Sequence, residues 1–397
     1  MSLGGARRSK GALVLMLLVA GSLLLVVPMR AAADPLCGDV ITESTFLSGN
    51  LGPCPGDGLV IGAGNVVLDC NQHTISGSGS GYGVSVGKFG KVTIQNCYVN
   101  GFGQGIYFHL TTGGALTNNT VRFSVGDGFA LYGASGNSLT KDKAIGNAND
   151  GFGLYQSTGN RVVSDKAKYN LGYGFYLSGS PGNVIASDEA TGNQEGFDVY
   201  SSDNNKITSN TASSNIDAGY GVYDSLESTI AGNTASGNGV GFALYTSSWS
   251  VMTGNLASGN AGDGYRLAYS STNNKLKGNT ATNNLNGFLL DYAWSNRLHG
   301  NLASNNSASG FQVVDGSFGN ALTRNTALAN KGSGFYISSS GGNSLGRDVS
   351  RNNGGFGYFD DTAGTLSGGT NNRYLHVRCS GNIVGGSSPY GIGGPQL

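Results

Sequence analysis

The chain has 397 residues, of which only 12% are charged, and its 23 basic residues balance its 23 acidic ones. A chain without excess basic charge is not expected to bind nucleic acid or an anionic membrane electrostatically. The 69 glycines alone would be typical of a disordered chain, but Phe, Leu, Val and Ile recur at fixed positions, which indicates a folded repeat protein.

The first 33 residues have the features of a signal peptide. Basic residues between positions 7 and 10 precede an apolar run from Ala12 to Val27, and small residues follow as far as Ala33. We expect residues 1–33 to be removed and the protein to be exported to the periplasm, the cell surface or the medium. An uncleaved membrane anchor is the alternative, although the run is short for a span and no later segment is apolar enough for one.

All five cysteines follow the predicted signal peptide, so disulfides are expected in an oxidising compartment. Residues 34–80 are interpreted as an N-terminal cap with a first coil. Cys37 and Cys54 flank a short segment there, and a bridge between them would close the open end of a stack. Cys70 and Cys97 lie about one repeat apart, so stacking would bring them together. Cys379 is then the odd thiol.

From residue 81 to residue 360 a glycine followed by an apolar, usually aromatic residue returns at intervals of 20 to 25 residues. These glycines are Gly83, Gly105, Gly128, Gly151, Gly174, Gly196, Gly221, Gly241, Gly264, Gly287, Gly310, Gly334 and Gly355. One period over most of a chain indicates a stack of units that cannot each bury an apolar face alone. Residues 361–397 are interpreted as a C-terminal cap with a Gly/Ser-rich tail.

Each repeat predicts three short strands separated by Asn or Gly corners, as in residues 160–177. Leucine-rich repeats need more leucine, and a left-handed hexapeptide helix needs a six-residue period. The prediction is an all-β, single-domain, right-handed parallel β-helix. Stacked Phe, Leu and Ala positions, the Phe row running on to Phe356, should fill it. An Asn/Asp row from Asn119 to Asp348 should line one corner in a structural role, with calcium binding as the minority alternative.

Several segments resemble the NosD-like subgroup of the pectin-lyase-like β-helix superfamily. They are Cys37–Thr45, Cys54–Gly62, Asn65–Gly77, Cys379–Asn382 and Gly385–Pro389. The resemblance implies the same β-helix. It also implies one of several activities: lyases, hydrolases and epimerases of acidic polysaccharides share the scaffold, and NosD itself is similar to a periplasmic factor for copper-site assembly.

Copper handling is not favoured by the residues, because soft ligands are scarce. Met252 is the one methionine after residue 33, and the histidines share no repeat position: His73, His109, His299 and His376. No cofactor or metal is predicted.

Tyrosines four residues beyond the repeated glycines should face outward on the strand that carries the Phe row. They include Tyr132, Tyr155, Tyr200 and Tyr245, and Tyr292 lies nearby. Such a row can stack on sugar rings, or its members can stack on each other to stiffen the sheet.

Arg266, Asp291 and Asp315 are the candidate catalytic residues, since their offsets from the repeated glycines place them near one face. Two aspartates facing each other could act on a glycosidic bond. Their registers differ by one residue, however, and surface charge is the alternative role.

The leading functional hypothesis is an exported β-helix that binds polysaccharide or a cell-surface component on its outward strand face. The alternatives are a structural or adhesive rod, a polysaccharide lyase or glycoside hydrolase, and a NosD-like copper factor. The narrow spread of repeat intervals leaves little chain for the walls of a deep active site, so an enzyme is less expected.

Overall fold

The computed structural model describes residues 34–392, so the predicted signal peptide lies outside the described residues. Short strands follow one another around each coil and pair in parallel with their equivalents in the coils before and after. The result is the predicted right-handed parallel β-helix with three sheets. A single 3₁₀ turn at Ser367–Gly369 interrupts the strands, and no helix among the described residues is long and apolar enough to cross a membrane.

The three sheets are named A, B and C in the order in which each coil visits them, and they have 16, 15 and 15 strands. Sheet A comprises Asp39–Ile41, Leu59–Ile61, Tyr82–Val86, Gln104–His109, Phe129–Tyr132, Phe152–Tyr155, Phe175–Ser178, Phe197–Tyr200, Ala218–Tyr223, Val240–Tyr245, Tyr265–Ala268, Phe288–Asp291, Phe311–Val314, Phe335–Ile337, Phe356–Asp360 and Gly385–Ser388. Sheet B comprises Thr45–Phe46, Val67–Asp69, Thr93–Gln95, Ala115–Thr117, Ser138–Thr140, Arg161–Val163, Val184–Ala186, Lys206–Thr208, Thr229–Ala231, Val251–Thr253, Lys275–Lys277, Arg297–His299, Ala321–Thr323, Ser344–Gly346 and Arg373–Leu375. Sheet C comprises Leu51–Cys54, Thr74–Gly77, Tyr98–Asn100, Thr120–Arg122, Lys143–Ile145, Lys166–Lys168, Glu189–Thr191, Thr211–Ser213, Thr234–Ser236, Leu256–Ser258, Thr280–Thr282, Leu302–Ser304, Thr326–Leu328, Val349–Arg351 and Arg378–Ser380.

The strands extend beyond the predicted repeat range of 81–360 at both ends. Two sets of three strands precede Tyr82, and Arg373–Leu375, Arg378–Ser380 and Gly385–Ser388 add one more strand to each sheet after Asp360. The sheets therefore continue into both segments interpreted as caps.

A stack of aromatic rings runs through the interior behind sheet A, with neighbouring centroids 4.6 to 4.9 Å apart. Its members are Phe129, Phe152, Phe175, Phe197, Tyr220, Phe242, Tyr265, Phe288, Phe311, Phe335 and Tyr358. Offset stacking at this separation adds to the apolar area that each ring buries.

This stack corrects the sequence register at two coils. Phe197 pairs with Tyr220 and Phe335 pairs with Tyr358. The equivalent glycines are therefore Gly219, two residues before the expected Gly221, and Gly357, two residues after the expected Gly355. Phe356, predicted in the inward row, is only partly buried, whereas Tyr358 is buried. The two glycine–apolar pairs in each of these coils are two residues apart and so place their apolar residues on the same face of the strand. The pairing of Tyr220 and Tyr358 into the ring stack decides the register.

The repeated glycine, the alanine row and a corner asparagine form one packing unit. A Cβ added at Gly151 would lie 2.6 Å from the Gly174 carbonyl oxygen, 2.9 Å from Ala167 Cβ and 2.9 Å from Asn170 Nδ2. The predicted alanine row is confirmed, since Ala167 and its equivalents are fully buried. The coil is so narrow at this corner that only hydrogen fits opposite the alanine methyl.

The predicted Asn/Asp row is a buried ladder between sheets B and C. Asn279 shows the pattern: its backbone N–H and its Nδ2 both donate to Oδ1 of Asn301, at 2.9 and 3.1 Å, and Nδ2 also donates to the Met252 carbonyl at 3.0 Å. A second amide ladder between sheets C and A includes Asn170 and Asn193, and a third between sheets A and B includes Asn160 and Asn183. These contacts satisfy corner backbone groups that the strands leave unpaired.

Both predicted disulfides are present. Cys37 bonds to Cys54 and Cys70 bonds to Cys97, while Cys379 is a buried free thiol. The Cys37–Cys54 bridge lies within the first coil, and the Cys70–Cys97 bridge joins the second coil to the third.

Candidate functional site

The central strands of sheet A each point two residues away from the interior, because alternate residues face opposite sides of a sheet. The first outward row includes Gly153, Tyr176, Asp198, Gly221, Ala243 and Arg266. The second outward row includes Tyr132, Tyr155, Ser178, Tyr200, Tyr223, Tyr245, Ala268 and Asp291. A third line of side chains, just before the repeated glycines, borders the sheet on its C side and includes Asp127, Asp150, Tyr173, Glu195 and Asp263.

Four of the five predicted tyrosines lie in the second outward row as expected. Tyr292 does not: it follows strand Phe288–Asp291 in a turn with φ 52°, is 49% exposed and packs edge-on against Trp294. The corrected register adds Tyr223 to the row, which therefore has one fewer gap than the sequence indicates.

Tyr155 lies flat across the sheet instead of standing free. Its hydroxyl lies 2.9 Å from Asp150 Oδ2 and 3.1 Å from Asp127 Oδ2, so its one proton is donated to either carboxyl group or shared between them. The ring passes over Gly153, where an added Cβ would lie 2.7 Å from the Tyr155 hydroxyl. Tyr132 stacks on it with centroids 4.3 Å apart. The glycine thus makes room for an aromatic side chain held by two carboxyl groups.

Tyr223 repeats this arrangement three coils further along. Its hydroxyl donates to Glu195 Oε1 at 2.8 Å, and its ring lies over Gly221. The two tyrosines leave Tyr200 between them more open, with 48% of its surface exposed. The row therefore contains two tyrosines held by carboxyl groups and, between them, the accessible Tyr200.

Between these tyrosines the surface holds carboxyl groups that are largely removed from water. Burial raises the pKa of Asp150 to about 6, with the Asp127 charge adding to it. Burial raises the pKa of Glu195 to about 7, against the opposing hydrogen bond from Tyr223. Asp198 is 5% exposed, and burial together with the charges of Glu195 and Asp150 raises its pKa to about 9. We call Asp150, Glu195 and Asp198 the acidic cleft.

Arg266 lies in the first outward row, three strands beyond Asp198. Its Nη2 is 3.1 Å from Asp291 Oδ2, and its guanidinium carbon is 5.8 Å from the centre of the Tyr245 ring. Burial raises the pKa of the neighbouring Asp263, whose carboxylate accepts a hydrogen bond from Asn286 at 2.9 Å. Three strand spacings separate Asp198 from Arg266, or about 14 Å.

The structure brings together two of the three candidate catalytic residues. Arg266 and Asp291 form an ion pair, but Asp291 is paired with Val314 in the next strand. Asp315 follows Val314 in an exposed turn with φ 54°. The one-residue difference in register therefore keeps the two aspartates from facing each other across adjacent strands.

Three buried polar atoms on this face have no hydrogen-bond partner: Glu195 Oε2, Asp198 Oδ1 and Arg266 Nε. Buried polar atoms are normally satisfied, so these three are exceptions among the polar groups of this face. Neutral carboxyl groups donate and accept hydrogen bonds, and Arg266 can pair with an anion. In the part of the chain that the structure describes, no group of three or more His, Cys, Asp or Glu side chains has an arrangement that could hold a metal ion.

Sequence reasoning missed the acidic cleft, although two signals for it were present. An acid directly precedes the repeated glycine at Asp127, Asp150, Glu195 and Asp263. Asp198 also occupies the repeat position at which Arg266 was identified, two residues past the glycine. The missing step was the degree of burial, which depends on the tyrosines that cover these carboxyl groups.

Comparison with known proteins identifies the same architecture. A search of curated proteins found no match to the sequence. The structure is similar to the A-module of a mannuronan C-5 epimerase from Azotobacter vinelandii, with 16% identity, a TM-score of 0.53 and coverage of 79% of this chain and 89% of that one. It is also similar to a point mutant of the periplasmic alginate epimerase AlgG, with 14% identity, a TM-score of 0.51 and coverage of 79% and 77%. At these identities the likeness shows the fold.

A family model described as a right-handed beta helix region matches the sequence in overlapping segments, at residues 57–212, 166–296, 194–327 and 273–373. Together they span most of the chain and coincide with the coils described above. The protein therefore belongs to the right-handed β-helix family.

Proposed function

We propose that this protein is exported and binds an acidic polysaccharide along the outer face of sheet A, from Tyr132 to Asp291. The observation that carries the proposal is one outward face that combines a row of tyrosines, including the exposed Tyr200, with buried carboxyl groups and Arg266. A polysaccharide running along the β-helix axis would stack a sugar ring on Tyr200 and pair a carboxylate with Arg266.

The chemistry of the face favours an acidic sugar. At neutral pH and below, the raised pKa values keep much of the acidic cleft uncharged, so it can donate hydrogen bonds to a carboxylate without repelling it. Arg266 supplies a cation three strands beyond Asp198, or about 14 Å along the face. Two similar structures are named as epimerases of mannuronan and alginate, which agrees with this ligand class.

Export is supported by the features of residues 1–33 and by the two disulfides, which are typical of oxidising compartments. One of the similar epimerases is described as periplasmic.

Calorimetric titration with oligouronates of defined length tests the binding. We expect saturable binding at pH 6, at least tenfold weaker when Tyr200 and Tyr223 are both changed to alanine. Tyr169→Ala is the control, because Tyr169 is 64% exposed and lies outside sheet A. Absence of binding, or equal binding by the double variant, would leave a structural rod as the better description.

The pH dependence of binding follows from the same carboxyl groups. Glu195 and Asp198 become charged as pH rises through about 7 and about 9, so affinity for an oligouronate should fall between pH 6 and pH 9. Asp198→Asn keeps a neutral side chain of similar shape and should reduce that fall. A pH profile identical to that of the wild type would contradict the role of Asp198.

Catalysis is a second candidate function, favoured by the pKa of Glu195 near 7, which suits an acid or base that must exchange a proton at neutral pH. Incubation with polyuronates, followed by assays for new reducing ends and unsaturated products, tests it. Glu195→Gln should abolish turnover and leave binding intact. Asp291→Asn tests, in the same assay, the catalytic site expected from the sequence. Absence of turnover by the wild type would contradict catalysis at either site.

A further inference from the structure

A groove on a different face of the β-helix combines an exposed indole with two cations. It has a volume of about 480 Å³ and lies where the turns after sheet A meet the outer surface of sheet B. Its lining consists of Trp249, Asn273, Lys275, Ser295, Arg297, Gly319 and Ala321.

The groove is open because the side chain at one turn position becomes smaller from each coil to the next. Trp249, Asn273, Ser295 and Gly319 occupy equivalent turn positions in four successive coils, as the repeated positive φ values show. Trp249 is 58% exposed and stands at one end, while a Cβ at Gly319 would meet only Ser295, at 3.5 Å from Oγ and 3.9 Å from the backbone nitrogen. The indole thus forms one wall of a depression instead of packing against a neighbour.

Two cations form the floor on the sheet B side. Lys275 and Arg297 are directly paired in adjacent strands, so their Cα atoms are about 4.8 Å apart. Both are exposed, and the ion pairs found among residues 34–392 involve neither of them. Like charges at this separation repel each other, and a bound anion would remove the repulsion.

The distribution of charge along the chain also favours an anionic ligand in this groove. Residues 266–378 contain 10 Lys and Arg against 5 Asp and Glu, whereas residues 34–265 contain 9 against 18. The nearest acid in the row of turns is Glu227, one coil before Trp249 and on the opposite side of it from the cations. The groove therefore lies in the basic part of the chain.

We propose that this groove is a second glycan site, which binds a sugar ring bearing a carboxylate or sulfate. Trp249 would stack on the apolar face of the ring, and Lys275 and Arg297 would pair with the anionic group. An acidic peptide would use the cations but has no ring for the indole, so the combination favours a sugar. The site is separate from the face of sheet A, and each can fail its test without the other.

Tryptophan fluorescence offers a direct measurement, because the chain contains only two tryptophans. Trp294→Phe leaves Trp249 as the sole reporter and keeps an aromatic ring between Tyr292 and Phe318. In this background, titration with an oligogalacturonate should change the fluorescence saturably at low salt. The change should weaken at high salt, because these exposed charges are screened.

Matched variants distinguish binding in this groove from nonspecific electrostatic attraction of the ligand to the basic part of the chain. Lys275→Ala with Arg297→Ala should raise Kd at least tenfold, whereas Arg324→Ala with Arg347→Ala, which removes the same charge from the basic part outside the groove, should raise it less than threefold. Tyr200→Ala with Tyr223→Ala on sheet A should leave the signal unchanged.

Other ligands define the class. A sulfated oligosaccharide that binds as well as the uronate would assign recognition to negative charge, and weaker binding would assign it to the carboxylate. The proposal is overturned if no saturable change occurs, if a neutral oligosaccharide or a hexaglutamate peptide binds equally, or if the two double variants weaken binding to the same extent.

Discussion

Three successive corners of the ladder between sheets B and C carry a carboxyl group where most coils carry an amide. Burial raises the pKa of Asp142 to about 7 and of Asp188 to about 8, and burial with the charges of both neighbours raises that of Asp165. Asp188 Oδ2 is buried without a partner. An ionised carboxylate cannot donate to the next coil as an asparagine Nδ2 does, so these corners are weak points at high pH.

At the residue scale we therefore predict that the stability of the fold depends on pH and that one substitution makes this dependence smaller. A folded-state pKa above the unfolded value means that stability is fully present below about pH 4 and is lost as pH rises through the folded values near 7 and 8. Asp165→Asn should raise the free energy of unfolding at pH 9 by about 1 kcal/mol or more, with little effect at pH 4.

Thermal unfolding followed by circular dichroism at the two pH values measures this effect. Asn301→Asp is the matched change in the opposite direction, since Asn301 lies between amides in the same ladder. It should lower stability at pH 9 more than at pH 4. Equal effects of either substitution at both pH values would contradict the assignment.

At the scale of the strand and its corner, the spacing of coils is set by contacts that leave no room for a side chain. A Cβ at Gly196 would lie 2.5 Å from the Gly219 carbonyl oxygen and 2.8 Å from Ala212 Cβ. The carbonyl oxygen belongs to the backbone and the Cβ belongs to an alanine, so neither atom can rotate away. The clash can be relieved only if the coils move apart.

Gly196→Ala should therefore destabilise the fold by about 1–3 kcal/mol, the range for overpacked interiors. Gly56→Ala is the control, because nothing lies within 4 Å of an added Cβ there. Equilibrium denaturation of both variants checks the prediction. A Gly196→Ala protein as stable as Gly56→Ala would show that the corner can relax.

At the scale of the whole molecule, each coil contacts mainly the coils before and after it, as in other solenoids. Within residues 34–392 the first coil pairs with a coil on one side only. The Cys37–Cys54 bridge lies in that coil, and the Cys70–Cys97 bridge joins the second coil to the third. Stability should therefore vary along the axis, with the N-terminal coils dependent on their bridges.

Reduction of the disulfides should lower protection from hydrogen exchange in residues 39–100 and leave the central coils, such as residues 152–223, unchanged. The physical reason is that loss of a cross-link affects the unfolding of the coils it joins and of their immediate neighbours. Exchange measured by mass spectrometry with and without reductant tests this. A uniform loss of protection along the chain would contradict nearest-neighbour behaviour.

Much of the architecture was predictable from the sequence. The period, the alanine row, the corner ladder and both disulfides could be predicted because each depends on a residue type that recurs at a fixed spacing. Gly221 and Gly355 show the limit: glycine–apolar pairs occur at two registers in those coils, and the inward partner is decided by Tyr220 and Tyr358 packing into the ring stack.

The sequence by itself determined the scaffold, because a narrow stacked coil accepts only small, amide and apolar side chains at set positions. The tertiary structure decided the surface. Burial raises the pKa values of Asp150, Glu195 and Asp198. Tyr155 and Tyr223 fold over glycines to reach Asp150 and Glu195. Burial is a property of neighbours one or more coils away, and no local pattern records it.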